Sequence, residues 1–168
     1  RTSLCLLAVL LTSCSASATP AASTPEPTMT PSPTPPPFII LAYATEGIIP
    51  EIIPYDKLTH INYSFLTPKA DGTFNRISNG WKLKQIAETG REHGVRVSIS
   101  VGGWGWDAQF EELAADPTSR SAFVKNLKAF VDEYQLDGVD MDWEYPDPGQ
   151  SSQNFLALIK ELRAAMPD

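Results

Sequence analysis

The stretch that decides the fold is "GVDMDWEY", residues 138–145, which alternates acids with large apolar side chains. Side chains alternate across a β-strand, so this pattern sends Asp140, Asp142 and Glu144 to one face and Val139, Met141 and Trp143 to the other. With Asp137, four carboxylates fall within eight residues. The apolar trio can pack under helices, while the three acids share the opposite face at steps of roughly 6–7 Å along the strand. In a confined site they cannot all ionise cheaply, so at least one retains a proton near neutral pH.

Working outward, three more segments read as strands: "FIILAYA" (38–44), "HINYSFL" (60–66) and "VRVSISV" (95–101). Helical periods lie between them. Leu83, Ile86 and Ala87 make one amphipathic face, with Gly94 placed to stop that helix after His93. Phe123, Leu127, Phe130, Val131 and Tyr134 make a second, and Phe155, Leu158, Ile159 and Leu162 a third, which Ser151 and Ser152 are placed to cap. The connection 47–59 carries Pro50 and Pro54 and predicts a turn or two of helix only. Alternating strands and helices mean βαβ units and a parallel sheet. Periodicity leaves two architectures open, a doubly wound sheet and a (β/α)8 barrel.

In a parallel α/β protein the C-terminal ends of the strands carry the chemistry. Glu144, at that end, is the expected proton donor, kept protonated by a raised pKa, with Asp142 and Asp140 one and two steps deeper. Asp137 has the opposite parity and helps begin the strand. A solvated edge strand could alternate in the same way, but the fourth strand of such a series is expected to be interior. A calcium loop needs Gly and a sharp turn where Tyr145 and Pro146 stand. The preceding strand runs into Gly102 and Gly103, which remove bulk near the mouth, and then presents Trp104 and Trp106. Space beside aromatic faces suits a sugar ring.

Composition agrees with this. The net charge of −7 lacks the clustered Lys and Arg of a nucleic-acid binder and suits an uncharged substrate. His60 and His93 are the only histidines and lack the company a metal site needs; no cofactor is implied. Cys5 and Cys14 both fall in the first fourteen residues, so the body carries no disulfide and no thiolate site.

Three regions are expected. Residues 1–14 hold an apolar run, "LCLLAVLL" (4–11), too short to span a bilayer and typical of a signal-peptide core, since the Pro- and Ser-rich residues after it cannot fold against it as a buried helix. "LTSC" (11–14) resembles the bacterial lipobox, which implies lipidation of Cys14 and a secreted, surface-anchored lipoprotein; cleavage near "SASA" is the alternative. Membrane attachment would come only through that lipid. Residues 15–37, rich in Pro, Ser and Thr, read as an extended stalk of ~3.1 Å per residue. Residues 38–168 are the folded part.

"SVGG" (100–103) followed by "DGVDMDWE" (137–144) resembles the paired signature of glycoside hydrolase family 18, the chitinase family, and "LAYA" (41–44) and "LTHINYSF" (58–65) resemble its first two strands. The resemblance implies a TIM barrel. It also implies roles: Glu144 protonates the glycosidic oxygen and later activates water, Asp142 orients the substrate's N-acetyl group, and Asp140 is its buried partner. Tyr43, Phe65, Gly102, Gly103, Trp104 and Tyr145 would be substrate-facing, with Ser100 near Asp140. The implied reaction is retaining hydrolysis of β-1,4-linked N-acetylglucosamine polymers, chitin most simply, in which the substrate's acetamido oxygen replaces a protein nucleophile. Peptidoglycan and N-glycan endo-N-acetylglucosaminidases are alternatives within the fold. A non-catalytic chitin-binding lectin is a further one, although such relatives lose the acid.

A (β/α)8 barrel takes about 250 residues. The part after Pro37 reads as its first four βα units, and Arg1 and the closing "AAMPD" read as cut ends. On that reading the polypeptide alone is expected to be inactive and poorly stable, with the outer edges of its first and fourth strands unpaired.

Overall fold

The computed structural model describes residues 38–167. The expected signal segment, lipobox and stalk lie outside the described residues. Four parallel strands, β1 (Leu41–Thr45), β2 (His60–Leu66), β3 (Arg96–Gly102) and β4 (Gly138–Asp142), pair in chain order. Four α-helices lie in and after the connections: α1 (Gly80–Glu92), α2 (Asp107–Ala115), α3 (Pro117–Tyr134) and α4 (Gln150–Ala165). The link between β1 and β2 forms two 3-10 turns, Pro50–Ile52 and Tyr55–Lys57, as its prolines require.

The sheet has two chemically distinct faces. Ile61, Tyr63, Val97, Ile99 and Val101 are buried under the helices. They meet Leu83 and Ile86 of α1, Phe110 and Leu113 of α2, Phe123 and Leu127 of α3, and Leu158 of α4, all fully buried. Trp143 stacks on Phe110 with centroids 5.1 Å apart and meets Phe155 edge-on. The other face is polar, with Asn62, Ser64, Ser98, Ser100, Asp140 and Asp142 at alternate positions.

This polar face is concave. Tyr43 lies on β1 and Asp140 on β4, three strands away, which in a flat sheet would separate their backbones by ~14 Å. Yet the Tyr43 hydroxyl donates to Asp140 Oδ2 at 2.9 Å, so the sheet must curl strongly around that face.

Several expectations change. β1 starts at Leu41, leaving Phe38 to Ile40 as exposed residues before the strand. β4 ends at Asp142 rather than 145, because its partner β3 turns away at Gly102 (φ 113°), so the ladder has nothing to pair with beyond the Gly102–Asp142 step. Among the described residues β4 is an edge strand, as four βα units alone require, and not the interior strand of a longer series. The β3-to-β4 connection holds two helices instead of one: Asp116 ends α2, and its carboxylate accepts from the Ser119 amide to cap α3, with Pro117 at the first helical position. Ser151 and Ser152 do not cap α4, whose N-cap is Gly149. Instead the Ser151 hydroxyl accepts from the Asp147 amide and donates to Glu111, and the Ser152 hydroxyl donates to the Asp147 carbonyl.

Candidate active site

The site is built at the end of the concave face where β1 to β4 finish. Asp137 fixes the entry of β4: its amide donates to the Val97 carbonyl at 2.8 Å, and its carboxylate accepts from the Val97 amide at 2.7 Å. That double tether sets the register in which Ser100 pairs with Asp140 and Gly102 with Asp142. Period-2 alternation then does the rest. Asp140 and Asp142 face the concavity, and Trp143 turns to the helix side, where its indole donates to Asp107 at 2.8 Å. Glu144 stands two residues past the last paired position and half-buried, close enough to Asp142 for their charges to interact.

Asp140 is held from two directions. Besides the Tyr43 phenol, the Ser100 hydroxyl, fully buried, donates to the same Oδ2 at 2.9 Å. Two hydroxyls on one oxygen fix the rotamer of this side chain. Asp142 differs. Burial, then the Glu144 and Asp140 carboxylates, raise its pKa above the usual carboxylate value. On Tyr43, Asn62 acts to lower the phenol, but burial and the two aspartates outweigh it and the net shift is upward, so the phenol remains a donor at neutral pH.

The glycines act through space and backbone. A side chain at Gly102 would meet the Asp142 carbonyl oxygen at 2.4 Å and the Phe110 ring at 2.6 Å. At Gly103 it would stand 3.2 Å from the ring of Phe65, and the Gly103 amide donates to the Asp142 carbonyl at 2.9 Å. Both residues have positive φ, a conformation glycine adopts without steric cost. Phe65 and Tyr43 are partly exposed here, and Trp104 and Tyr145 project further, at 78% and 68% exposure. Trp106 does not join them; it packs against the core. The Ser64–Phe65 and Glu144–Tyr145 peptide bonds, at the ends of β2 and just past β4, are cis.

Two polar residues of this face escaped the sequence reading. Asn62 and Ser64, on β2, are both buried, and the Ser64 hydroxyl has no partner among the described residues. Their signal was present in "HINYSFL", where polar residues alternate with Ile61 and Tyr63 as the acids do on β4.

The model of glycosyl hydrolases family 18 matches residues 39–168. The chain belongs to that family. A "chitinase-like effector" of Moniliophthora perniciosa is 33% identical over 142 residues, covering 75% of this chain and 32% of the relative. Among solved structures, a chitinase from Rhizomucor miehei matches with TM-score 0.69 and 35% identity over 75% of this chain and 43% of that one. The chitinase-like agglutinin of Robinia pseudoacacia matches with TM-score 0.71 and 26% identity, over 76% and 40%. The family 18 chain thus spans about a third of the length of that curated relative. The architecture left open by periodicity is settled as four βα units of a TIM-barrel fold.

Proposed function

We propose that this family 18 chain carries the acid-bearing half of a retaining, substrate-assisted hydrolase of chitin or a related N-acetylglucosamine polymer. One observation carries the reading: on the concave face Asp140 is clamped by Tyr43 and Ser100, and Asp142 feels the charges of both Asp140 and Glu144. Glu144, at the rim, is placed to protonate a glycosidic oxygen and then to activate water. The bond from the anomeric carbon to that oxygen breaks as the substrate's acetamido oxygen attacks the same carbon. The resulting oxazolinium is positively charged beside Asp142. In the resting site its neighbours make Asp142 costly to ionise; a cation arriving next to it removes that cost. The interaction is therefore stronger in the transition state than in the ground state, which is the condition for rate acceleration. Asp140, fixed by two hydroxyls, keeps Asp142 oriented.

The likeness to an agglutinin gives a second reading, a barrel that binds glycans without cutting them; the presence of Glu144 favours the enzyme. Peptidoglycan and N-glycans would present the same N-acetylglucosamine unit to the same acids. The test uses the protein expressed from its complete reading frame. Glu144→Gln should lower release of N-acetylglucosamine oligomers by at least about 10²-fold while oligomer binding persists. Unchanged turnover would overturn the assignment of the acid, and wild-type binding without turnover would favour the lectin.

A further inference from the structure

Outside the acid cluster, one aromatic side chain is both exposed and held in place. Trp81, in the first turn of α1, is 60% exposed. Its neighbour Lys82 sits over the indole, 5.7 Å from the ring centroid, and is itself fixed by donating to the Glu46 carbonyl at 2.7 Å. The Glu46 carboxylate accepts from Asn79 at 2.9 Å and from the Ser78 hydroxyl. Residues 78–82 are thereby fastened to Glu46, three positions after Tyr43, which clamps Asp140. An exposed indole loses rotamer freedom when a ligand docks on it, and the anchored Lys82 ammonium beside the ring restricts part of that freedom beforehand.

Trp81 borders an open cleft of about 1090 Å³ whose walls mix aromatic rings, Phe74, Phe130 and Tyr134, with the planar amides of Asn75 and Asn126. Rings to stack on, beside amides that keep acceptor oxygens while their nitrogens donate to the Thr67 hydroxyl and the Gly72 carbonyl, are the chemistry a pyranose bearing hydroxyls and an acetamido group can satisfy. The cleft is not isolated. Along Arg76 to Ser78 it adjoins a second cavity of about 220 Å³, which reaches Phe65 and the buried hydroxyl of Ser64, unpartnered among the described residues. Phe65 in turn stands against Gly103 at the site itself.

We infer that the Trp81 cleft is an auxiliary glycan-binding track, joined to the acid cluster through Phe65 and the Arg76–Ser78 wall, which holds a distant stretch of an N-acetylglucosamine polymer. The track rests on the hydrolase reading of the site and adds a direction to it: the polymer leaves the mouth over the ends of β1 and β2. Trp81, 60% exposed, supplies the platform.

The experiment measures depletion onto insoluble chitin, together with affinity for soluble N-acetylglucosamine oligomers of increasing length. It uses wild type, Trp81→Ala, Trp81→Phe and, as a control at an exposed apolar position on α4, Leu156→Ala, each in the complete reading frame and checked by thermal unfolding. Trp81→Ala should bind chitin at least about fivefold more weakly, with Trp81→Phe recovering part of the loss and Leu156→Ala matching wild type. The deficit should grow with oligomer length. Equal binding by wild type and Trp81→Ala overturns the track while leaving the hydrolase reading standing. If wild type neither binds nor cleaves these glycans, the functional reading fails and the track with it.

Discussion

Gly102→Ala tests whether the turn at the end of β3 sets the position of the acids. The new Cβ would stand 2.4 Å from the Asp142 carbonyl oxygen, against the 3.0 Å below which such contacts are essentially never seen, so β4 must retreat by about 0.6 Å or the Gly102 backbone must rotate. Backbone is on both sides, and the second obstacle is the Phe110 ring at 2.6 Å, stacked on Trp143. Forcing a side chain onto φ 113° costs about 1–3 kcal/mol. Overpacking against Phe110 adds about 1–3 kcal/mol. A total of about 2–6 kcal/mol corresponds to a fall in Tm on the order of 10 °C. The effect on turnover comes from geometry, since a misplacement of about 1 Å at a catalytic group can cost on the order of 10²-fold; a loss of about 10- to 100-fold in kcat/KM is expected. Denaturant unfolding and turnover of a soluble N-acetylglucosamine oligomer, measured on one preparation, check both numbers. Gly47→Ala, at a site with nothing within 4 Å, serves as the neutral control. If Gly102→Ala unfolds and turns over like that control, the contact between Gly102 and Asp142 does not position the acids and the reasoning fails.

Other parts of the fold give two more expected outcomes. Asp142 has a folded pKa raised above its unfolded value, so the folded state holds the extra proton between the two; its contribution to stability is fully present below the unfolded value and is lost as pH rises through the folded one. Asp142→Asn should remove that decline, and unfolding free energies of the two proteins from acid to neutral pH check it: a wild type that gains stability relative to the variant across this window contradicts the sign. Arg120 joins three helices, pairing with Glu161 at 2.7 Å and donating to the Ala114 carbonyl at 2.8 Å, with its side chain 14% exposed. Arg120→Ala should cost about 1–3 kcal/mol, and a double-mutant cycle with Glu161→Ala should show coupling of at least about 0.5 kcal/mol, whereas additive losses would show that the pair contributes nothing beyond its separate parts.

What was legible in the sequence is what one short period can encode. The alternation in "GVDMDWEY" fixed the faces of β4, and buried apolar spacing located α1, α3 and α4. The helix α2 carries the same kind of signal in Phe110, Leu113 and Ala114, but nine residues hold only about two and a half turns of it, and Asp116–Pro117 reads equally well as a loop. The caps expected from Ser151 and Ser152 failed for a different reason: a hydroxyl near a helix start has several acceptors available, and here Glu111 on α2 and the Asp147 carbonyl win. Nothing local announces such partners. The fastening of Glu46 to residues 78–82, more than thirty positions away, is likewise invisible until the chain is folded.

The Tyr43–Asp140 hydrogen bond spans the hollow like a chord across an arc, from the first strand to the fourth. Chord and arc are coupled. Any flattening of the sheet pulls the phenol off the carboxylate before a single ladder bond between neighbouring strands needs to break. Curvature and acid alignment therefore form together and are lost together, and the placement of a single side chain becomes a gauge of how tightly the whole wall is rolled.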